Sequence, residues 1–377
     1  MAISRTADDA LAAVVAPMRV HTIGLDRAPA LMISALVLGL AAPSPADAQW
    51  VQQPTGSNAE FRGLAAVDSL VAWAGGRNGA FARTADGGAT WVAGIVSGAE
   101  SLFFVDVHAL DADTAWLLGT SFDGGLARIY RTTDGGATWR EQFEDTTAGA
   151  FYDGFAFWDA QRAIAFSDPV NGSFRIVRTE DGGRTWSVVS PEKIPPPLDG
   201  EAGFAASGTA VATQPNGLAW IGTGGGRVAR VYRTSDYGAT WEVAETPLAA
   251  GPTAGIFGIA FRDSLNGVAV GGDYQQRTAA MPNVLRTRDG GRTWELVGTS
   301  APAGVRYGVV YVPGTDPPVL VAVGPSGSGY SLDDGATWTL ISDVGYNTVS
   351  FAAPNAGWAA GTEGRIARWR GVFGADR

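Results

Sequence analysis

The chain has 377 residues, a net charge of −10 and no cysteine. This acidic balance makes nucleic acids and anionic membrane surfaces poor partners. The lack of cysteine excludes disulfides and thiolate chemistry, so a large buried core must hold the fold together.

The first 48 residues have the features of a secretory signal peptide. An apolar run of 13 residues, Ala30 to Ala42, is followed by prolines and small residues up to Ala48. The run is shorter than the roughly 20 apolar residues of a membrane-spanning helix, and its length is typical of a signal peptide. We expect cleavage between Ala48 and Gln49, a periplasmic or extracellular location, and no transmembrane segment in the mature chain. The three arginines before this run, Arg5, Arg19 and Arg27, are offset by Asp8, Asp9 and Asp26, whereas initiation at Met18 would give a more basic leader.

A short tract is repeated through the rest of the chain. It has the form Ser/Thr-x-Asp-x-Gly-x-Thr-Trp, begins with Thr84 to Trp91, and occurs six times at intervals of 44 to 55 residues. Its aspartates are Asp86, Asp134, Asp181, Asp236, Asp289 and Asp333. The interval matches one four-stranded sheet with its turns, so the sequence predicts an array of β-sheet units.

Each unit repeats the same order of strands and turns. In the first unit, strands are predicted at 62–67, 70–75 and 79–84, and a fourth begins at Trp91 after the tract. The six complete units are predicted at 58–97, 98–147, 148–198, 200–250, 252–301 and 302–343. Residues 346–370 match the first three strands of a seventh unit, and residues 50–53 match its missing fourth strand. The predicted fold is all-β, a single seven-bladed β-propeller over 49–377 whose ring is closed by an N-terminal strand.

The tract itself has a structural explanation. It falls at the turn between the third and fourth strands, where an aspartate accepts backbone N–H bonds and a glycine supplies a positive φ. The tryptophan that follows is suited to the apolar layer of the blade. A catalytic carboxylate does not need six equivalent copies, so we interpret the six aspartates as turn-forming residues.

We expect the binding site on the face of the propeller opposite the tracts. In a four-stranded antiparallel blade, the first-to-second and third-to-fourth turns share one face, here called the tract face. The second-to-third loops and the blade-to-blade connections share the other, here called the open face. Propeller ligands are expected over the central channel. The predicted binding residues are Arg62, Arg77, Tyr152, Asp153, Asp168, Arg227, Asp273, Tyr274, Arg306 and Tyr346.

Several catalytic classes are excluded by the residues that the chain lacks. His108 is the only histidine after residue 48, and we expect it in a loop on the tract face. A Ser-His-Asp triad on the open face would therefore lack its base, and a zinc site would lack His and Cys ligands. The glycine-rich stretch from Gly222 to Arg227 lies between two strands, without a helix N-terminus for phosphate. No metal and no cofactor are predicted.

A glycoside hydrolase remains as the enzymatic alternative, with a glycan as its partner. Such an enzyme needs two carboxyl groups about 5–10 Å apart, one with a raised pKa. The carboxylates predicted near the channel are Asp153, Asp168, Glu201 and Asp273.

The tract is the Asp-box, or BNR, motif, and residues 50–370 resemble the photosystem II stability and assembly factor family. The resemblance rests on the six tracts and on blades of the form Phe61-Arg62-Gly63-Leu64 followed by Ala72-Trp73-Ala74-Gly75. It implies an exported seven-bladed propeller that binds a protein partner, such as an envelope or membrane-protein subunit, without catalysis.

Other families with this motif are less similar. Sialidases have six blades and a Phe-Arg-Ile-Pro signature, whereas residues 174–177 here read Phe-Arg-Ile-Val and fall in a third strand. Xyloglucanase-type hydrolases resemble two facing propellers, and this chain has one. The sequence therefore favours a binding scaffold over a hydrolase.

Overall fold

A computed structural model describes residues 49–374, so the predicted signal peptide lies outside the described residues. The described chain forms seven sheets, each of four antiparallel strands. The predicted all-β fold with seven four-stranded blades is confirmed. In the first blade, the observed strands begin within two residues of their predicted starts. Residues 49–374 contain no helix that is long and apolar enough to cross a membrane.

The first strand of each blade lies at the centre of the ring. These strands are β2 (Phe61–Ala66), β6 (Phe103–Ala109), β10 (Tyr152–Phe157), β14 (Val211–Gln214), β18 (Ala254–Phe261), β22 (Gly308–Val312) and β26 (Thr348–Ala353). Each contacts the first strands of both neighbouring blades, including β26 with β2, so the ring is closed.

The second and third strands follow outward. The second strands are β3 (Ala72–Gly76), β7 (Ala115–Thr120), β11 (Ala163–Val170), β15 (Leu218–Gly222), β19 (Gly267–Asp273), β23 (Val319–Gly324) and β27 (Ala356–Ala360). The third strands are β4 (Ala80–Thr84), β8 (Ala127–Thr132), β12 (Ser173–Thr179), β16 (Arg230–Thr234), β20 (Val284–Thr287), β24 (Gly327–Ser331) and β28 (Ile366–Trp369).

The outermost strands are short and largely exposed. They are β5 (Val92–Ile95), β9 (Arg140–Asp145), β13 (Ser187–Val188), β17 (Glu242–Glu245), β21 (Glu295–Gly298), β25 (Thr339–Ser342) and β1 (Trp50–Gln53). A 3₁₀ turn, Pro191–Lys193, follows β13.

The last blade is completed by the start of the described chain. Strand β1 pairs antiparallel with β28, with Trp50 opposite Trp369. The Trp50 side chain is buried, and its ring lies 5.2 Å from that of Trp369 and 5.8 Å from that of Tyr346. Its indole N–H donates to the Ser328 hydroxyl of the preceding blade. The predicted closure of the ring by an N-terminal strand is confirmed.

The core consists of apolar layers between neighbouring blades. Second strands are apolar along nearly their whole length, because both of their faces are covered by adjacent blades. Trp73, Trp116, Trp220 and Trp358 all lie in second strands and are completely buried. Trp220 stacks on Phe261 of the next blade, which joins the two sheets.

The tract forms the same hydrogen-bonded turn in each of its six copies. In the first, the Thr84 hydroxyl and the Thr90 backbone N–H both donate to Oδ1 of Asp86, and the Thr90 hydroxyl donates to its Oδ2. The Gly88 N–H donates in turn to the Thr84 hydroxyl. The bonds from Thr90 lower the pKa of Asp86 to about 2. The carboxylate is thus used within its own turn.

His108 is not in a loop, as expected from the sequence, but within strand β6. Its ring stacks on Phe157 with 4.0 Å between ring centres, and burial lowers its pKa to about 4. A neutral, stacked imidazole of this kind acts as a packing group.

Candidate functional site

A pocket opens at the centre of the open face. Its volume is about 440 Å³. The aromatic residues that line it are Phe103, Phe122, Phe151, Phe204, Phe257, Tyr274 and Tyr307. Its charged residues are Arg62, Arg77, Arg277, Asp153 and Asp168. The pocket therefore combines an apolar wall with guanidinium and carboxyl groups.

Three of the lining residues reach the pocket through irregularities in the innermost strands. The pairing register shifts by one residue at Arg62, Asp153 and Phe257. Such a β-bulge leaves the extra residue outside the ladder and re-aims its side chain. Each of the three is followed by a glycine, and at Gly63 an added Cβ would lie 2.7 Å from the backbone of the next blade. The glycine permits this close approach of the inner strands.

The two arginines of the first blade lie over aromatic rings. The Arg77 guanidinium is 4.2 Å from the centre of the Phe122 ring and 4.8 Å from that of Phe103. Arg62 lies 5.8 Å from the centre of the Tyr307 ring. Cation–π contacts of this kind hold the guanidinium groups at the pocket mouth.

One carboxylate, Glu60, holds both arginines in place. It accepts from Arg77 at 2.5 Å and lies 2.8 Å from Arg62. Burial would raise the pKa of Glu60, but the two guanidinium groups outweigh it and lower that pKa. Glu60 is thus ionised and fully engaged.

A second groove of about 440 Å³ continues from the pocket towards the last blade. Its charged residues are Glu60, Arg62, Arg77, Arg277 and Arg365. Four arginines thus face one carboxylate, although the chain as a whole carries a net charge of −10. The open face is locally basic around its centre.

A segment of the fourth blade, residues 203–209, lies across the centre of the ring and is here called the central segment. The Arg62 guanidinium of the first blade donates to the Ala205 carbonyl, and the Ser207 hydroxyl donates to the Tyr307 carbonyl at the sixth blade. The Ile259 N–H of the fifth blade donates to the Thr209 carbonyl. Residues 203–206 line the pocket, so this segment forms its floor.

Carboxyl groups lie against the central segment from two further blades. The Gly203 N–H donates to Asp168 at 2.7 Å, and an added Cβ at Gly208 would lie 2.1 Å from Asp106. Asp106 also accepts the Phe155 N–H at 3.0 Å. Burial raises the pKa of Asp106 well above its usual range.

Asp153 and Asp168 form a coupled pair at the pocket floor. Burial raises the pKa of both, and the charge of Asp168 raises that of Asp153 further. The pKa of Asp168 reaches about 6. One buried oxygen of Asp153 has no hydrogen-bond partner among the described residues, and burial of this kind disfavours the charged form of the carboxyl group.

The structure brings together half of the predicted binding residues. Those that line the central pocket are Arg62, Arg77, Asp153, Asp168 and Tyr274. Tyr346 is among the residues of the adjoining groove, but its side chain is buried and its hydroxyl accepts from Gln52.

Four predicted residues line neither the pocket nor the adjoining groove. Tyr152 is buried and donates to Asp145, and Arg306 is buried among backbone carbonyls, including that of Gly327. Because side chains alternate along extended chain, their neighbours Phe151 and Tyr307 line the pocket instead.

The other two lie at the rim of the open face. Arg227 is exposed and pairs with Glu245. Asp273 accepts from Thr253 and from the Gln275 N–H, and lines a separate pocket of about 200 Å³.

The four candidate catalytic carboxylates are not arranged as a pair across a cleft. Asp153 is completely buried, and Asp168 lies beside it. Glu201 is buried in an ion pair with Arg230 and accepts the Thr223 hydroxyl at 2.6 Å. Asp273 belongs to the separate pocket. Within residues 49–374, no group of His, Asp and Glu side chains is placed to hold a metal ion.

The class defined by this fold and site is a seven-bladed β-propeller with a single-sided central pocket. No protein-family model matches the sequence, and no curated protein matches it.

The solved structures that are similar to it include two of YCF48. One is YCF48 bound to D1 peptide, at 18% identity and a TM-score of 0.60, covering 85% of this chain and 96% of that one. The other is YCF48 from Cyanidioschyzon merolae, at 19% identity and a TM-score of 0.60, covering 85% and 99%. The predicted resemblance to the photosystem II assembly factor family is therefore confirmed at the level of the fold.

Proposed function

We propose that this protein is an exported, non-catalytic binding or assembly scaffold that holds a segment of a protein partner in the central pocket of its open face. The observation that carries this proposal is the convergence of Arg62, Arg77 and Arg277 on a pocket lined by aromatic side chains.

The chemistry of the pocket indicates the kind of segment that fits. Arg277 makes no ion pair within the described chain, and Glu60 is shared between Arg62 and Arg77. Guanidinium groups bind carboxylates through charge-assisted hydrogen bonds. The aromatic rings offer apolar surface beside them. The fitting ligand is a peptide segment that places a carboxylate next to an apolar side chain.

The comparison supports this proposal by analogy. One of the similar solved structures is YCF48 bound to D1 peptide, which is a propeller with a peptide ligand. A shared fold does not by itself transfer a function, so the argument depends on the pocket's own residues. By the same analogy, an envelope or membrane-protein subunit is the kind of partner we propose.

The glycoside hydrolase alternative finds less support. A glycosidase requires two accessible carboxyl groups separated by about 5–10 Å across the substrate. Here Asp153 is buried next to Asp168, and Glu201 is neutralised by Arg230. This arrangement favours binding without catalysis.

Export is part of the proposal and is tested separately. N-terminal sequencing of the mature protein, recovered from cells fractionated into cytoplasm and envelope, is expected to begin near Gln49. Recovery of the intact N-terminus from the cytoplasm would contradict export without affecting the proposed binding site.

The binding site is tested with a display library of random peptides that carry free C-termini. We expect selected peptides to combine Asp, Glu or a terminal carboxylate with apolar residues. Calorimetric titration of a selected peptide should show binding to Arg277→Ala weakened by about tenfold or more, because a hydrogen bond to a charged group is lost. Arg227→Ala, an exposed arginine at the rim, is the matched control and should bind normally.

Equal binding by both variants would contradict the central pocket as the site. A parallel screen with chromogenic glycosides tests the alternative. Hydrolysis that is lost in Asp168→Asn would favour the hydrolase.

A further inference from the structure

An arginine directly precedes five of the six tracts, the sixth being preceded by Tyr330, and this arginine is normally neutralised. These third-strand arginines are Arg83, Arg131, Arg178, Arg233 and Arg286. In the fourth and fifth blades the residue directly opposite on the outer strand is a glutamate, which gives the ion pairs Arg233–Glu242 and Arg286–Glu295. Arg83 and Arg178 also have carboxylate partners, Asp113 and Glu180.

The second blade departs from this pattern. The residue opposite Arg131 is Arg140, so two like charges face each other across strands β8 and β9. Like charges in this position are destabilising unless something neutralises them. Arg131 has no ion-pair partner among the described residues, and its buried Nε makes no hydrogen bond. Its guanidinium lies 4.8 Å from the ring centre of Trp116, which fixes its position.

A third arginine is added by the neighbouring blade. Arg184 belongs to the tract of the third blade, and it is held there by a bond to the Asp181 carbonyl at 3.0 Å. Burial lowers the pKa of Arg131, and the charge of Arg184 lowers it further. Arg184 is therefore close enough to repel Arg131.

The three guanidinium groups line one pocket. Its volume is about 330 Å³, and its lining residues are Arg131, Thr133, Thr138, Arg140, Gln142 and Arg184. No carboxylate is among them. The Thr138 hydroxyl donates to Asp134 within its own turn, so the side-chain donors left for a ligand are those of the three arginines, Thr133 and Gln142. The Gln142 amide oxygen accepts the indole N–H of Trp116, which leaves its N–H₂ group available.

We propose that this pocket is a binding site for a tetrahedral oxyanion, a phosphate or sulfate group. The donors come from two strands and from a turn of the next blade, so they approach from several directions, as the oxygens of a tetrahedral anion require. A planar carboxylate would be satisfied by one guanidinium. The site lies at the tract end of the second blade, on the face away from the central pocket, so it is independent of the proposed peptide site.

The test measures phosphate binding by titration calorimetry and by the thermal unfolding midpoint at constant ionic strength. Inorganic phosphate is expected to bind and to raise the midpoint, because a ligand of the folded state stabilises it. Arg140→Glu places a glutamate opposite Arg131, as in the fourth and fifth blades. We expect this variant to bind phosphate about tenfold more weakly or worse. Without phosphate it should be at least as stable as the unmodified protein, which shows that it folds.

Two arginine variants serve as controls. Arg292→Ala removes the residue equivalent to Arg184 from the fifth blade, beside a pair that is already neutralised. Arg277→Ala removes an arginine from the central pocket. Both should bind phosphate normally. Loss of binding in Arg277→Ala but not in Arg140→Glu would overturn the proposal, because the anion would then occupy the central pocket.

Two further ligands define the anion. Sulfate should bind like phosphate, and acetate should bind about tenfold more weakly because it has fewer oxygens. Equal binding of acetate would overturn the assignment to a tetrahedral group. Co-sedimentation with phosphatidylglycerol vesicles, but not with phosphatidylcholine vesicles, would support the proposed site and would show that the bound phosphate belongs to a lipid headgroup. Binding of inorganic phosphate without binding to either kind of vesicle would also support the proposed site and would show that its ligand is the free ion.

Discussion

Replacing Trp50 with alanine tests whether the N-terminal strand holds the ring closed. The indole is 94% buried, and it contacts Tyr346, Phe351 and Trp369 of the last blade. Its N–H also donates to the buried hydroxyl of Ser328 at 3.0 Å. One side chain therefore ties the start of the described chain to two blades near its end.

The expected loss of stability follows from these contacts. Truncation of a buried tryptophan costs about 3–5 kcal/mol, including the cavity that is left. With a urea m-value of about 3 kcal/mol/M for a chain of this size, the unfolding midpoint should fall by about 1 M or more. The Ser328 hydroxyl would lose its partner as well, which acts in the same direction.

Equilibrium unfolding in urea, followed by tryptophan fluorescence and circular dichroism, measures the change. Val51→Ala is the matched control, since Val51 is the next residue of the same strand and is 38% exposed. That substitution should change the free energy of unfolding by less than about 0.5 kcal/mol. If Trp50→Ala behaved like the control, the closure of the ring by strand β1 would contribute nothing to stability, and the reasoning would be refuted.

Two further predictions concern the pocket floor. The folded-state pKa of Asp168 is raised from 3.8 to about 6, so its contribution to stability is present at acidic pH and is lost as the pH rises through that interval. Asp168→Asn keeps an acceptor for the Gly203 N–H, and its unfolding free energy should fall less than that of the unmodified protein between about pH 4 and pH 6. An unchanged pH dependence would contradict the raised pKa. Gly208→Ala should destabilise the protein by about 1–3 kcal/mol, because the new methyl group would lie 2.1 Å from Asp106. Gly251→Ala is its control in urea unfolding, because a Cβ added there would have no other atom within 4 Å. Equal losses of stability in the two variants would show that the central segment can shift to accommodate the methyl group.

The number of blades could be predicted because one turn carries most of the sequence signal. The tract needs an aspartate, a glycine and two hydroxyls at fixed spacing, so it marks the third-to-fourth turn of every blade that has one. The last blade lacks the tract, and residues 50–53 were matched to it by their similarity to the segments after the tracts. Its strands pair as this similarity predicts.

Only half of the predicted binding residues line the pocket, because a shift of one position along a strand turns a side chain to the opposite side. Tyr152 and Arg306 lie one position away from residues that line it, and alternation along the chain turns them into the core. A usable signal was present in the sequence. The dipeptides Arg62-Gly63, Asp153-Gly154 and Phe257-Gly258 mark the bulges that aim side chains at the centre.

The central segment could not be foreseen from the repeat. It is an insertion before strand β14 that has no counterpart in the other blades, and its contacts join residues up to 143 positions apart. No local pattern in residues 203–209 indicates that they cross the ring. Phe103 and Phe122 were missed for a related reason, since apolar residues near strand ends are equally typical of the core.

The central segment also restricts how a polymer can use this protein. Because residues 203–206 form the pocket floor, a chain that enters from the open face cannot pass through the ring and emerge on the tract face. A segment of the proposed partner would therefore have to enter and leave on the open face, whether it ends in the pocket, turns back or continues along the adjoining groove. Such a partner would be released from the same face by which it bound.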